Sequence, residues 1–355
     1  MAKNKMELDI KFMKQVLKLA EKAYGYTSPN PLVGCIITKN NKIIGKGYHK
    51  KAGLPHAEIE ALKSCKEDPM GGTLYVNLEP CVHYGKTPPC TDAIIKAGIK
   101  KVVIAQKDPN PIVNGKGIEK LKQHNIEVVS GILEEEAKKL NEKFNKFISK
   151  QSPFIGIKIA MTLDAKIADT KGYSKWITNE KARAYAHYIR AGYDAIITGT
   201  NTIKKDNPLY TVRYYKGENP YRIILSHSCD FDENLKIFNI DDGKTIIMTD
   251  NNNISKKFNA EYIFIKSLKN PDDIIEALYN KGISSALVEA GERLSAFFIQ
   301  NNLVDKLYFF YGNSILGPGK SPFDLLNKRK LNNSIKLKQV EFKTFEDNLL
   351  VEGKL

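Results

Sequence analysis

Four residues in the N-terminal part could do chemistry together. His56 and Glu58 stand in the run Pro55-His56-Ala57-Glu58, Cys81 follows Pro80, and Cys90 follows further on. One imidazole and two thiolates are a sufficient protein set for a catalytic zinc ion, which keeps its fourth position for water. Zinc brings the pKa of that water toward neutrality. A carboxylate two residues from a ligand is well placed to take the water's proton and pass it to a leaving group. His56, Cys81 and Cys90 are therefore the expected ligands and Glu58 the expected general acid/base. Two alternatives stay open. His83 could add a fourth ligand and make the site structural, which would leave Glu58 without a task, or the cysteines could simply be buried and the histidine exposed.

Helices and strands must hold these residues. Apolar spacing predicts a helix over 8–24, a hairpin of strands 32–38 and 42–48 around Asn40-Asn41, and a helix over 57–65 beginning beside His56. A strand over 73–78, a helix over 91–97, a strand over 101–105, a helix over 118–124 and a strand over 127–129 follow. A charged helix over 133–149 runs into Gln151-Ser152-Pro153, where the helical pattern must break, so a first domain is expected over 1–150 and a second over 151–355. The second half alternates again, with strands at 154–160, 195–199, 222–225, 245–248, 285–289 and 306–310 and helices at 179–191, 271–281 and 294–300. Alternation of this kind means two α/β domains.

In zinc deaminases of nucleobases the usual signature is H-x-E followed by P-C-x-x-C, whereas eight residues separate Cys81 from Cys90 here. That spacing ends in Thr87-Pro88-Pro89-Cys90 and is joined by Thr27-Ser28-Pro29-Asn30-Pro31-Leu32-Val33-Gly34-Cys35 and Gly45-Lys46-Gly47-Tyr48-His49. Together they resemble the bifunctional riboflavin biosynthesis deaminase/reductase family, in which the extended spacing is the usual form. The resemblance covers nearly the whole chain. It implies a cytidine-deaminase-like α/β/α domain that binds Zn²⁺ and removes the 2-amino group of a diamino-ribosylamino-pyrimidinone 5′-phosphate. By the same resemblance Asn30, His49, Lys86, Asp108 and Asn110 contact the pyrimidine or its ribose phosphate. Read without the family, Asp108-Pro109-Asn110-Pro111 is a turn signal, Lys86 a surface charge and Asn30 an ordinary loop residue.

Lys158, the run Ala160-Met161-Thr162-Leu163-Asp164, Ser174-Lys175-Trp176-Ile177-Thr178, Gly199-Thr200-Asn201-Thr202, Asp206-Asn207-Pro208-Leu209 and Val288-Glu289-Ala290-Gly291 resemble the same family's reductase domain. The resemblance implies a dihydrofolate-reductase-like fold that uses NADPH to reduce the ribosyl group to ribityl. No G-x-G-x-x-G follows a strand, so a Rossmann site is not supported. Lys158, Asp206 and Glu289 fall at positions lining the ribose, where a lysine and carboxylates can hold hydroxyls and relay a proton. Arg213, with its forked donors, is the expected phosphate ligand. Thr162, Ser174, Trp176, Thr178, Thr202 and Gly291 fall at cofactor positions. The plain readings are a turn residue for Asp206, a helix cap for Glu289 and packing for Trp176. The chain departs from the family at Ala165, where glycine is usual, and at Glu292, which brings negative charge toward the expected cofactor phosphates.

Composition narrows the alternatives. The formal net charge of +15 comes from lysines spread along the chain rather than an arginine-rich tract, which argues against nucleic acid as partner. A base deaminase acting on tRNA, with an appended binding domain, would share His56, Glu58, Cys81 and Cys90 but would need clustered basic and aromatic stripes. A zinc-stabilised interaction protein would not need Glu58. Five cysteines at irregular spacing do not make a disulfide framework. No apolar run reaches the roughly 20 residues that a membrane span requires, and no signal-peptide pattern opens the chain, so a cytoplasmic enzyme is expected. Homo-oligomerisation is expected from the family alone.

Overall fold

The computed structural model describes residues 2–84, 88–254, 256 and 258–355. The chain forms two compact units, Met1–Gln151 and Ser152–Leu355.

In the first unit, helix α1 (Ala2–Ala20) leads to strands β1 (Gly34–Lys39) and β2 (Lys42–Tyr48), then α2 (Ala57–Lys63), β3 (Thr73–Leu78), α3 (Cys90–Lys96), β4 (Lys101–Gln106), α4 (Lys116–Gln123), β5 (Glu127–Ser130), α5 (Glu134–Leu140) and α6 (Glu142–Lys150). The sheet order is β2-β1-β3-β4-β5. Strand β1 is antiparallel to both neighbours, and β3, β4 and β5 are parallel. Asn40 and Asn41 take φ of 49° and 60°, the left-handed pair that a two-residue hairpin turn requires. Alternate residues of each central strand face opposite layers. Leu74, Val76, Val102 and Ile104 pack with Ala57, Ala61, Ile94 and Leu121 of the helices on one side. Tyr75, Val103 and Ala105 pack with Phe12, Met13, Val16 and Ala137 on the other.

The helix expected over 133–149 is broken in two at Asn141. Its buried side chain turns back to bond Leu32, accepting from the backbone N–H at 2.8 Å and donating to the carbonyl at 3.0 Å. This long-range demand outweighs local helical pattern.

The second unit runs β6 (Phe154–Met161), β7 (Ala168–Asp169), α7 (Glu180–Ala191), β8 (Ala195–Gly199), α8 (Thr200–Asp206), β9 (Tyr221–Leu225), β10 (Thr245–Thr249), β11 (Glu261–Phe264), α9 (Pro271–Asn280), β12 (Ser285–Val288), α10 (Glu292–Gln300), β13 (Lys306–Tyr311), β14 (Gly319–Lys320), β15 (Lys338–Phe345) and β16 (Asn348–Lys354). Nine strands form one sheet in the order β11-β10-β9-β8-β12-β6-β13-β16-β15, and β7 pairs with β14. From β11 to β13 all pairs are parallel, whereas the closing hairpin of β15 and β16 is antiparallel. Ile196, Ile224, Ile247 and Leu287 face α7 through Ala182, Ala186 and Ile189. Ile197, Ile223, Ile246 and Val288 face α9 and α10 through Ile274, Leu278, Phe298 and Ile299. Helix α8 and strands β7, β11, β14, β15 and β16 exceed the sequence expectation. The outermost strand β15 is exposed along nearly its whole length and so lacks the apolar alternation that reveals a strand.

Candidate active sites

In the first unit, α2 lies directly on β2 because glycines leave the room. A Cβ at Gly47 would sit 2.4 Å from the Ala61 nitrogen, and one at Gly45 would sit 2.5 Å from the Ala61 carbonyl oxygen. His56 occupies the extended cap position of α2, and Glu58, in the helix's first turn, is buried. The long excursion between the cysteines closes through Thr91, whose N–H and hydroxyl both donate to the Cys81 carbonyl at 3.2 and 3.1 Å. The Cys90 N–H donates to Cys81 Sγ at 3.3 Å. His56 Nδ1 then lies 3.2 Å from Cys90 Sγ and 3.6 Å from Cys81 Sγ, and all three ligand atoms fall within 4.8 Å of one another.

A tetrahedral zinc ion with ordinary bond lengths separates a nitrogen and a sulfur ligand by roughly 3.5 Å, so the donor set and its spacing fit zinc. His83 is exposed and is not part of this cluster, so among the described residues three side chains, His56, Cys81 and Cys90, could hold the ion. The thiol of Cys81 is lowered to about 4, chiefly by the hydrogen bond from Cys90 and then by His56, while Cys90 moves upward. Burial, then the charge of Cys81, pushes the Glu58 carboxyl up to about 7. A divalent cation among the ligands acts in the opposite direction.

Two groups expected to meet substrate stand beside the ligands. The His49 ring is edge-on to His56, with centroids 5.7 Å apart. Its Nδ1 lies 3.1 Å from the Pro55 carbonyl, which can only accept, so Nδ1 carries the proton and Nε2 accepts from Asn30 Nδ2 at 3.0 Å. Burial lowers the His49 pKa and keeps the ring neutral. Asn30 keeps its carbonyl oxygen for other work. Its loop is pinned by Asn77, which accepts from the Gly34 N–H at 2.8 Å and donates to the Leu32 carbonyl at 2.9 Å.

Asp108 and Asn110 sit in a loop gripped by a residue that the sequence did not single out. The Glu79 carboxylate accepts the backbone N–H groups of Asp108 at 3.2 Å, Gly115 at 2.9 Å, Gly117 at 2.9 Å and Ile118 at 3.1 Å. It thereby caps α4, whose own cap residue, Gly115, has no side chain to do so. Gly117 must be glycine here, since a Cβ would meet the Pro80 carbonyl at 2.4 Å. The Asp108 carboxyl is raised to about 6, first by burial and then by Glu79 against hydrogen bonding from Asn110. Lys86 lies outside the described residues.

In the second unit the cluster gathers at the carboxyl ends of parallel strands, the usual place for a ligand in such sheets. Lys158 on β6 donates to Glu289 Oε2 at 3.1 Å. Arg190 on α7 grips the same carboxylate in a fork, Nε to Oε1 at 2.9 Å and Nη2 to Oε2 at 3.1 Å. Burial alone would raise the Glu289 pKa, but Arg190 and Lys158 outweigh it and hold the carboxyl far below the usual range. Glu289 therefore does not cap the helix that follows it; the cap residue of α10 is Gly291, without a side-chain bond. Arg190 was absent from the sequence expectation. Tyr210 adds a hydroxyl bond to the Glu289 carbonyl at 3.0 Å.

Asp206 ends α8, followed by Asn207 with φ of 42°. Its bonds run away from the Lys158–Glu289 pair: its Oδ1 accepts from Ser174 Oγ at 3.5 Å, and its backbone carbonyl accepts from Lys175 Nζ at 3.1 Å. Arg213 is exposed, with Nη1 donating to Thr211 Oγ1 at 2.9 Å. Trp176 is 73% exposed and carries the Arg183 guanidinium over its ring at 4.5 Å, so the sole tryptophan is not a core residue. Thr178 is buried near the start of α7, and Thr202 lies in α8. Thr162 donates to Asp164 Oδ1 at 2.6 Å. Gly291 opens α10, and a Cβ there would meet nothing within 4 Å, which leaves backbone and helix N-terminus accessible to an anionic group. Glu292 begins that helix.

These units define a zinc-dependent deaminase joined to a pyridine-nucleotide reductase. A family model described as the RibD C-terminal domain matches residues 153–351, and one described as the cytidine and deoxycytidylate deaminase zinc-binding region matches residues 6–106. The riboflavin biosynthesis protein RibD of Aquifex aeolicus (strain VF5) is 42% identical over 349 residues, covering 97% of this chain and 98% of that protein. The Escherichia coli (strain K12) protein of the same name is 36% identical over 322 residues, 86% of this chain and 88% of its own. The crystal structure of a diaminohydroxyphosphoribosylaminopyrimidine deaminase/5-amino-6-(5-phosphoribosylamino)uracil reductase from Thermotoga maritima superposes with a TM-score of 0.91 at 39% identity, covering 98% of this chain and 99% of that one.

The chain belongs to the RibD family of bifunctional riboflavin-biosynthesis enzymes. It is a zinc-dependent deaminase with a cytidine-deaminase-like fold, followed by an NADPH-dependent reductase with a dihydrofolate-reductase-like fold, and it acts on small molecules. No helix among the described residues is long and apolar enough to cross a membrane.

Proposed function

We propose that in this chain His56, Cys81 and Cys90 hold zinc while Glu58 carries the proton that removes the pyrimidine 2-amino group as ammonia. When bound, zinc supplies a water activated for attack. Glu58 takes a proton from that water and delivers it to the departing amine. The neutral His49 and Asn30 orient the pyrimidine, and Asp108, Asn110 and Lys86 bind the base or the ribose phosphate. The observation that carries this reading is the convergence of one nitrogen and two sulfur donors beside a buried carboxylate.

For the second unit we propose that the deaminated product binds with its ribose against Lys158, Asp206 and Glu289 and its phosphate on Arg213. Thr162, Ser174, Trp176, Thr178, Thr202 and Gly291 hold NADPH, which supplies a hydride to C1′. The doubly paired Glu289 stays ionised and fixes Lys158, so the carboxylate orients sugar hydroxyls and the ammonium lies in reach of the opened sugar. Homo-oligomerisation and a cytoplasmic setting complete the proposal. The family supports the first, and the five free cysteines, two of which must stay reduced to ligate zinc, support the second.

The experiment supplies the diaminopyrimidinone phosphate to zinc-loaded protein, with ammonia assayed beside NADPH oxidation. Equal yields of ammonia and oxidised cofactor are expected. Ammonia without oxidation would remove the second-unit assignments, and neither product would remove the substrate.

A further inference from the structure

One side chain joins the buried Glu289 cluster to the exposed Arg213. His187 lies one helical turn before Arg190 on α7, so both face the same loop. Its Nδ1 accepts the Arg213 backbone N–H at 3.2 Å and lies 3.3 Å from Arg190 Nη1. An arginine nitrogen can only donate, so Nδ1 is the acceptor in both contacts and the ring is neutral, with its proton on Nε2. Burial, then Arg190 and Arg213, lowers its pKa to about 4. The ring also meets Tyr214 edge-on, with centroids 4.9 Å apart.

The rest of this loop is tied to the same cluster. Tyr210 bonds the Glu289 carbonyl, and the Thr211 carbonyl accepts from Arg190 Nη1 at 3.0 Å. Of these ties, the one to His187 is made by the backbone N–H of Arg213 itself. Arg213's guanidinium is exposed and long, and a flexible arginine loses affinity by the freedom it must give up on binding.

We infer that His187 is a positioning residue for the reductase substrate: it fixes the backbone of Arg213 and the fork of Arg190 so that one guanidinium meets the substrate's phosphate while the other holds Glu289. This rests on the reading of Arg213 as the phosphate ligand. Histidine suits the position because a single ring nitrogen accepts from two cationic side chains' neighbourhoods without adding charge of its own.

The test compares His187→Phe, His187→Asn and His187→Gln in the full chain, alone and with Arg213→Ala. Reduction of the deaminated intermediate is followed as NADPH oxidation, with the second unit's thermal transition as a check that the unit carrying His187 is folded. His187→Phe is expected to raise KM about tenfold, the loss of one or two ordinary hydrogen bonds, with kcat within about twofold. Asn, whose Oδ1 falls where Nδ1 accepts, should restore KM, whereas Gln, whose oxygen falls nearer Nε2, should not. In the Arg213→Ala background His187→Phe should add little. Unchanged KM in His187→Phe, Asn no better than Gln, or full additivity with Arg213→Ala would each overturn the inference. If Phe prevents folding, the Asn and Gln pair decides alone. Arg213→Ala with unchanged KM would instead remove the phosphate reading, and so is distinguishable from failure of His187.

Discussion

Ala165 sits at φ of 59°, in the left-handed region that costs an L-residue about 1–2 kcal/mol. The turn cannot relax easily. Ala165 N–H donates to the Thr162 carbonyl at 2.9 Å, Thr162 N–H donates to the Lys166 carbonyl at 3.0 Å, and Thr162 Oγ1 accepts the Lys166 N–H at 2.9 Å. Asp164 within it accepts the N–H groups of Leu316 at 3.0 Å and Gly317 at 2.8 Å. Ala165→Gly removes the strain and returns roughly 0.4–1 kcal/mol through a freer unfolded chain, for a net gain of about 0.5–1 kcal/mol. In a unit of this size, about 150–250 residues, 1 kcal/mol moves Tm by roughly 2–4 °C. Scanning calorimetry of the full chain should show the second unit's transition rise by about 1–4 °C, with NADPH affinity kept or improved because Thr162 is held as before. A Tm that stays or falls would show that no strain is stored at this turn and would refute the reasoning.

Gly47→Ala should push α2 off β2, because its Cβ would lie 2.4 Å from Ala61 N; zinc content and ammonia release should fall together while reduction survives. Glu79→Gln replaces an acceptor of four N–H groups with an amide that repels some of them. It should cost about 2 kcal/mol, seen as a Tm loss of several degrees in the first unit and a raised KM for deamination. Glu289 has a folded pKa well below its unfolded value of about 4.3. Its stabilisation is therefore present above that pH and is lost as pH falls through the folded pKa. The Tm gap between the native chain and Glu289→Gln should accordingly be widest near neutrality and narrow progressively below about pH 4.

The candidate metal cluster was legible because its chemistry lies in residue types: one histidine, two cysteines after prolines, and a carboxylate two positions from the histidine. Short apolar runs buried on both faces, such as Thr73–Leu78, were legible for the same local reason. What escaped was set by distant backbone. Glu79 looks like any strand-end carboxylate until α4 presents its unpaired N–H groups. Asn141 looks helical until Leu32 arrives, and nothing in the sequence of α7 distinguishes His187 and Arg190 from surface polar residues. Asp206 shows the limit from the other side. Its motif is clear, yet its bonds run to Ser174 and Lys175 and not to Lys158 or Glu289.

Zinc-loaded Glu58→Gln tests the central assignment most directly, with zinc content, ammonia release and reduction of the supplied deaminated intermediate measured on one preparation. Zinc retained in full, ammonia release down by at least about 10²-fold and reduction unchanged is the result the account predicts. Ammonia release persisting near the native rate would contradict the role given to Glu58, and loss of reduction in the same folded protein would contradict the separation of the two sites.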